Sequence, residues 1–242
     1  MTGNQKLLST IAASTLGFVL LFSAPTTATA VTTNLTAGQT INLGTVIDNG
    51  LGVQIGDKLF ADFFFDYSDT DNGNIDLTKA NVNLTALSNN IGFGVSFTQP
   101  LLAQGPVTKN IALNYSATVT DPNFLISDIH LVITGSSGNG GLGTVDEDVY
   151  TGGFNGTNVG SIHADTSTPP LSLTDSADIV PPVVELWVQK LVSVTGSNQS
   201  ASGFATITVI DQTFSQIPEP STVLLVGLGL LGLVALNRKR QS

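Results

Sequence analysis

Apolar and polar residues alternate with a period of two along most of the chain, and no long stretch repeats with a helical period. Successive side chains of a β-strand point to opposite faces, so this pattern predicts strands with one buried face. The clearest alternating apolar sets are Ile91, Phe93, Val95 and Phe97; Ile111, Leu113, Tyr115, Ala117 and Val119; Ile129, Leu131 and Ile133; and Ala205, Ile207 and Val209. The alternation therefore predicts an all-β fold.

Turn-forming residues separate the predicted strands, for example Asp48-Asn49-Gly50 and Asp121-Pro122-Asn123. We expect about eight to ten strands in a single antiparallel β-sandwich. The phenylalanine-rich residues 59–67 predict a central strand, and residues 183–195 predict a long strand or a bent pair. Residues 135–182 carry weaker strand signals, which predicts a long loop region over one end of the sandwich.

The first thirty residues have the three parts of a secretory signal peptide. Lys6 precedes a mostly apolar run over residues 7–22, and small residues follow at Ala28 and Ala30. A retained transmembrane helix is the alternative, but this run is short for a hydrocarbon core of about 30 Å. We therefore expect cleavage after Ala30.

A second terminal signal begins at Pro218-Glu219-Pro220 and continues into the apolar run 223–236. As a helix, residues 221–236 would rise about 24 Å, enough to cross a membrane if the helix is not tilted. The basic residues that close the chain favour the cytoplasmic side, which places the preceding residues outside; they are Arg238, Lys239 and Arg240. The chain thus divides into a signal peptide (1–30), one β-sandwich ectodomain (31–217) and a tail (218–242).

This tail resembles the PEP-CTERM sorting signal of bacterial exported proteins, also catalogued as an ice-binding-protein C-terminal motif. The resemblance implies that Pro218, Glu219 and Pro220 are the motif recognised by an exosortase, an integral-membrane protease that removes the tail. Residues 223–236 would then be a temporary anchor, and the terminal bases a stop signal. The alternative is an ordinary single-pass anchor. The sequence Gly227-Leu-Gly-Leu-Leu-Gly232 fits a dinucleotide-binding fingerprint by letter, but it lies inside the apolar tail without the required strand and acidic residue.

The charge of the chain excludes nucleic-acid binding as a function. Residues 31–217 contain no arginine and far more carboxylates than lysines, and the whole chain has a net charge of −10. Phosphate neutralisation requires basic residues, which this region lacks. Cysteine is absent, so thiol catalysis and thiolate metal sites are excluded as well. The ectodomain must therefore be stabilised by its core, by ions or by assembly.

One acidic segment is a candidate calcium site, with oxygen ligands at Asp66, Asp69, Asp71 and Asp76 around Asn72-Gly73. Its spacing does not fit an EF-hand, so a bound ion would need further ligands, for which residues 146–148 (Asp-Glu-Asp) are candidates. The alternative is a solvated β-turn, because Asp, Asn and Gly are also turn residues. We treat calcium as a hypothesis and predict no other cofactor.

No arrangement of nucleophile, base and orienting acid is visible, and no Gly-x-Ser-x-Gly motif occurs. We expect His130 on the polar side of a strand and His163 in a loop, both as surface residues. The leading interpretation is a non-enzymatic cell-surface or extracellular-matrix protein with a structural or adhesive role. A module that binds a glycan or another surface component through residues 135–182, with calcium assisting, is the alternative. Extracellular polysaccharide is a partner suggested by the resemblance, and a secreted hydrolase is a third class.

Overall fold

The computed structural model describes residues 31–70, 77–89, 91–167 and 173–219, and these ranges form a fold made almost entirely of strands. They contain thirteen strands, one short α-helix and one 3-10 turn. The strands are β1 (Thr32–Leu35), β2 (Thr40–Asn42), β3 (Gly52–Ile55), β4 (Lys58–Asp69), β5 (Val82–Ala86), β6 (Gly92–Gln104), β7 (Thr108–Val119), β8 (Phe124–Gly138), β9 (Leu142–Thr151), β10 (Thr157–Asp165), β11 (Thr174–Val183), β12 (Glu185–Thr195) and β13 (Phe204–Pro218). The helix α1 spans Leu43–Asp48, and the 3-10 turn spans Lys79–Asn81.

The strands form two sheets that pack face to face. The seven-stranded sheet has the order β1-β3-β4-β7-β12-β9-β10, and the six-stranded sheet has the order β11-β8-β13-β6-β5-β2. Long strands pair over their whole length, as β12 does with β7 from Glu185↔Thr118 to Thr195↔Thr108. Among the described residues β1 and β3 are parallel, and the other pairs are antiparallel. The predicted antiparallel sandwich is therefore confirmed in outline, with one parallel edge.

Inward-facing side chains of both sheets form the core between them. Phe60 of β4 lies 4.8 Å, centroid to centroid, from Phe93 of β6 and 5.6 Å from Phe214 of β13. Tyr115 of β7 packs edge-on to Phe93 at 5.1 Å. These four rings are fully buried or nearly so. Aromatic burial of this kind contributes much of the energy that holds two sheets together. The rings occupy alternate, inward-facing positions of their strands, which is why the alternation in the sequence predicts these strands well.

Residues 135–182 do not form the predicted loop region. They contain the end of β8, all of β9 and β10, and all but the last residue of β11, so the count of strands also exceeds the predicted eight to ten. The inward positions of β9 are occupied by Gly143, Val145, Glu147 and Val149. A glycine and a carboxylate at two of these four positions interrupt the apolar alternation, which is why the strand signal is weak.

Two bulges change which side chains face the core. In β4 the pairing with β7 shifts between Ala61 and Phe64, where Asp62 has φ 54°, and Phe64 is 52% exposed. The predicted central position of β4 is confirmed, but its phenylalanines are not all buried. In β13 the register shifts between Ile207 and Val209, so Ile210 rather than Val209 is the next buried residue. A bulge adds one residue and reverses the alternation.

No helix among the described residues is both long and apolar enough to cross a membrane. The predicted signal peptide (1–30), its cleavage positions Ala28 and Ala30, and the predicted transmembrane helix 221–236 lie outside the described residues. Those three predictions stay predictions.

Candidate functional site

The first two residues of the predicted sorting motif belong to the folded sandwich. Pro218 is the last residue of β13 and lies opposite Phe124 of β8. The backbone N–H of Glu219 donates to the carbonyl of Asn123 at 2.8 Å. The motif therefore begins within the last strand, with no linker between it and the sandwich. The remaining predicted tail residues lie outside the described residues: Pro220, Arg238, Lys239 and Arg240.

Two of the four candidate calcium ligands are described, and they lie on opposite faces of β4. Asp66 is exposed, and Asp69 is partly buried and accepts a hydrogen bond from the Tyr67 hydroxyl at 2.9 Å. Strand periodicity separates the two carboxylates, because positions three apart face opposite ways. No group of three acidic or histidine side chains within the described ranges is arranged to hold a metal. Asp71 and Asp76 lie outside those ranges, so the calcium hypothesis stays a prediction.

The acidic residues 146–148 lie too far across the sheet to assist Asp66. Asp66, Ala112, Leu191 and Asp146 form one row through β4, β7, β12 and β9. Three strand spacings of about 4.8 Å place Asp66 and Asp146 about 14 Å apart. Glu147 points the other way, into the core, and forms an ion pair with Lys190. Asp148 accepts hydrogen bonds from Asn158 and Ser161.

His163 lies on β10 and not in the predicted loop, at the centre of an acidic cluster on the edge of the sandwich. Its Nδ1 lies 2.6 Å from Asp146 Oδ1, and its Nε2 lies 3.3 Å from Asp165 Oδ2. Its backbone N–H donates to Asp175 of β11 in the other sheet at 2.8 Å. A cavity of about 250 Å³ lies beside these residues. Strand pairing produces the cluster, because Asp146 is directly opposite His163.

The electrostatics of this cluster favour a charged imidazolium. The hydrogen bond to Asp146 raises the pKa of His163 above its ordinary value, partial burial opposes this, and Asp165 adds a smaller increase. Hydrogen bonds from Ser167 lower the pKa of Asp165. An imidazolium donates from both ring nitrogens, so it satisfies both carboxylates at once. Ser161, two residues earlier, donates its hydroxyl proton to Asp148 and not to His163.

His130 is a surface residue, as expected. It is about half exposed on β8, and its Nε2 lies 2.9 Å from Asp128 Oδ1. Ile129 and Leu131 on either side are fully buried. The predicted separation of a polar and an apolar face on this strand is confirmed.

The outer face of the seven-stranded sheet carries aromatic and amide side chains. Trp187 of β12 and Phe154 of the β9–β10 loop have ring centroids 4.8 Å apart in an edge-to-face arrangement. Tyr150 lies directly opposite Trp187 on β9. Gln189 donates to the Phe154 carbonyl at 3.1 Å and lies opposite Asn114 of β7. We refer to Trp187, Phe154, Tyr150, Gln189 and Asn114 as the aromatic face. Tyr150 and Phe154 lie within residues 135–182, where the sequence prediction placed binding, whereas the other three residues of the aromatic face lie outside that segment.

Comparison with protein families matches residues 216–240 to the model of the PEP-CTERM protein-sorting motif. The chain carries a PEP-CTERM sorting motif. This motif implies an exported bacterial protein sorted to the cell surface, with a membrane-associated C-terminal signal and an exosortase as its partner. The resemblance predicted from Pro218-Glu219-Pro220 and the terminal bases is thereby confirmed. A search of curated proteins found no match.

Solved structures similar to the chain are distant. An enzymatically active domain of bacteriophage CBA120 tailspike protein 4 has 12% identity and a TM-score of 0.26 over 66% of this chain and 20% of that chain. A glycosylation-associated protein complex from Streptococcus agalactiae has 10% identity and a TM-score of 0.30 over 62% and 26%. The CBM36-1 domain of a xylanase from the hindgut metagenome of Trinervitermes trinervoides has 11% identity and a TM-score of 0.21 over 64% and 100%. The chain spans about a fifth and a quarter of the first two. At these TM-scores none of the three supports an assignment of function.

Proposed function

We propose that this chain is a non-enzymatic exported protein whose β-sandwich has a structural or adhesive role at the cell surface or in the extracellular matrix. The observation that carries the proposal is the position of the sorting motif. Residues 216–240 match it, and Pro218, the first residue of the Pro-Glu-Pro sequence within that match, is also the last residue of β13. The folded sandwich itself is therefore the part of the chain that the tail sorts to the cell surface.

The geometry around His163 supports a role without catalysis. A serine hydrolase needs a histidine that accepts the proton of the nucleophile. Both ring nitrogens of His163 are held by Asp146 and Asp165. The nearby Ser161 hydroxyl donates to Asp148 instead. A screen of glycoside and ester substrates should show no turnover above buffer, and measurable turnover lost in His163→Asn would overturn this part of the proposal.

The sorting role is tested by terminal-peptide mass spectrometry of the native protein from separate membrane and extracellular fractions. We expect an extracellular chain that begins at Val31 and ends close to Pro218. The paired variant Pro218→Ala/Pro220→Ala should accumulate in the membrane fraction with its tail intact, while Pro122→Ala, a change in a surface turn, should be processed normally. A wild-type chain that retains residues 238–240 in the membrane would contradict delivery of a free sandwich.

A second candidate, a glycan-binding module, is favoured by the aromatic face. Sugar rings pack their C–H faces on aromatic side chains, while amides bond the hydroxyl groups. Trp187 and Phe154 supply adjacent rings, and Gln189 and Asn114 supply amides beside them on neighbouring strands. Such amphipathic rings commonly occur at binding surfaces because they combine apolar area with a polar tip.

Retention on immobilised polysaccharide tests this second function. Trp187→Ala should lose retention, while Leu191→Ala should keep it. Leu191 is a matched control because it is 47% exposed on the same face of β12 but has no ring. Loss of retention after chelation would add calcium to the site, and equal retention of both variants and the wild type would exclude the aromatic face.

A further inference from the structure

Three polar side chains meet in the apolar core, on strands from both sheets. Glu147 of β9 and Lys190 of β12 are directly opposite each other, and both side chains are 0% exposed. Gln212 of β13 in the other sheet is also fully buried. Lys190 Nζ donates to Glu147 Oε2 and, at 2.8 Å, to Gln212 Oε1. The lysine thus bridges the two sheets.

The surroundings of this cluster are apolar except for the buried Tyr115 hydroxyl, and they favour its neutral form. Lys190 lies opposite Leu113 on its other side, and Gln212 lies between Phe93 and Leu131. Burial lowers the pKa of Lys190, and burial raises the pKa of Glu147 against the opposing influence of the lysine. Transfer of one proton from the ammonium to the carboxylate removes two buried charges. Burial thus shifts both groups toward their neutral forms, a free amine and a carboxylic acid.

Two polar atoms of the cluster have no hydrogen-bond partner among the described residues. They are Gln212 Nε2 and Glu147 Oε1, both buried. Because an amide is planar, the hydrogen bond from Lys190 to Oε1 orients the whole Gln212 amide, and no hydrogen bond among the described residues retains its nitrogen. The contact with Lys190 therefore orients the side-chain carbonyl of Gln212 toward the lysine amine, and the amide nitrogen of Gln212 can leave as ammonia.

We propose that Lys190 and Gln212 form a covalent isopeptide bond between β12 and β13, with Glu147 as the proton carrier. Buried lysines deprived of their charge act as nucleophiles toward carbonyl carbons. The arrangement places a nucleophile, a carbonyl and an acid within one dry site. The modification would join the two sheets of a cysteine-free exported domain without any oxidant.

The step balances with these groups alone. The Nζ lone pair of neutral Lys190 forms a bond to Cδ of Gln212, and the carbonyl electron pair moves to Oε1. Glu147 gives its proton to Nε2, the carbonyl re-forms, and the Cδ–Nε2 bond breaks to release ammonia. The Glu147 carboxylate then takes the surplus proton from Nζ and returns to its acid form. The products are a secondary amide and ammonia, with no change in oxidation state.

Intact mass measurement and peptide mapping of the full-length chain test the proposal. We expect a mass lower than the sequence requires by about 17 Da, the mass of the released ammonia. Digestion should give one branched peptide that joins Lys190 to Gln212. A chain of full mass, with both residues in separate linear peptides, would overturn the proposal.

The same mass loss arises if an asparagine followed by glycine closes to a succinimide, so the variants must separate the two reactions. Lys190→Arg and Glu147→Gln should both restore the full mass, while Lys79→Arg, a change to an exposed lysine, should keep the deficit. Mild alkali opens a succinimide but leaves the isopeptide bond. A deficit that persists in Lys190→Arg, or that disappears in alkali, would contradict the assignment.

Discussion

The buried Glu147 predicts an unusual pH dependence once its partner is removed. In Lys190→Met the Glu147 carboxyl group remains in the core. The side chains of Glu147 and Lys190 are both 0% exposed in the wild-type protein, so the carboxyl group has no access to water. A buried carboxyl without a partner stays protonated, because ionisation there is costly. The suitable reference is the double variant Glu147→Gln/Lys190→Met, which differs only in lacking the acid and which also lacks the proposed cross-link.

The magnitude follows from proton linkage. Above a pH of about 4.3, the ordinary pKa of glutamate, the unfolded chain has released the Glu147 proton while the folded chain keeps it. The folded state then binds one more proton, so the free energy of unfolding falls by about 1.4 kcal/mol per pH unit. Between about pH 4.3 and pH 7 the difference grows to about 3.7 kcal/mol, within the range of about 3–5 kcal/mol expected when one partner of a buried ion pair is removed.

Urea unfolding followed by the fluorescence of Trp187, the single tryptophan, measures this difference. Unfolding curves of the single and double variants should coincide near pH 4.3 and separate steadily as the pH rises. The exposed pair Lys79–Asp48 provides the control, because Lys79→Met removes an ion pair worth at most about 1 kcal/mol and leaves no buried acid. If the difference in unfolding free energy between the single and double variants is the same at every pH, the folded single variant does not keep Glu147 buried and protonated.

Three further predictions concern other parts of the chain. The raised pKa of His163 means that its contacts stabilise the fold below a pH of about 6.5 and that this contribution is lost as the pH rises through the folded pKa. Proton NMR should therefore find His163 titrating above its ordinary range, and Asp146→Asn should lower that pKa. Gly92→Ala should destabilise the fold by about 3 kcal/mol in urea, because the added β-carbon would lie 1.8 Å from the backbone carbonyl oxygen of Gln212. If residues 66–76 bind calcium, the melting temperature should be higher in calcium than in chelator.

Each of these has a control or a contradicting result. Gly94→Ala should cost less than Gly92→Ala, since its β-carbon meets the Asp211 carboxylate oxygen at 2.6 Å, and that side chain can rotate away. An unchanged His163 titration in Asp146→Asn would show that the hydrogen bond does not raise the pKa. Identical melting in calcium and chelator would contradict the calcium site.

Much of the fold could be predicted because strand alternation is a local property. Ile129, Leu131 and Ile133 predict one buried face of β8, and all three are buried. The prediction was wrong where the inward positions are not apolar or where a bulge reverses the alternation. Glu147 weakens the signal of β9, and the bulge after Ile207 exchanges Val209 for Ile210. The sorting motif was predictable for a similar reason, because it is recognised as a contiguous segment.

By itself, the sequence determined which face most residues of the regular strands occupy. Glu147 stands between Val145 and Val149, and likewise Lys190 and Gln212 replace apolar residues at inward positions of their strands. Only the tertiary structure decided that these three side chains meet. They are 43 and 22 positions apart in the chain, and period-two alternation carries no information about which strands pair or which sheets face each other. The same holds for His163 and Asp175, whose contact depends on how the edges of two sheets come together.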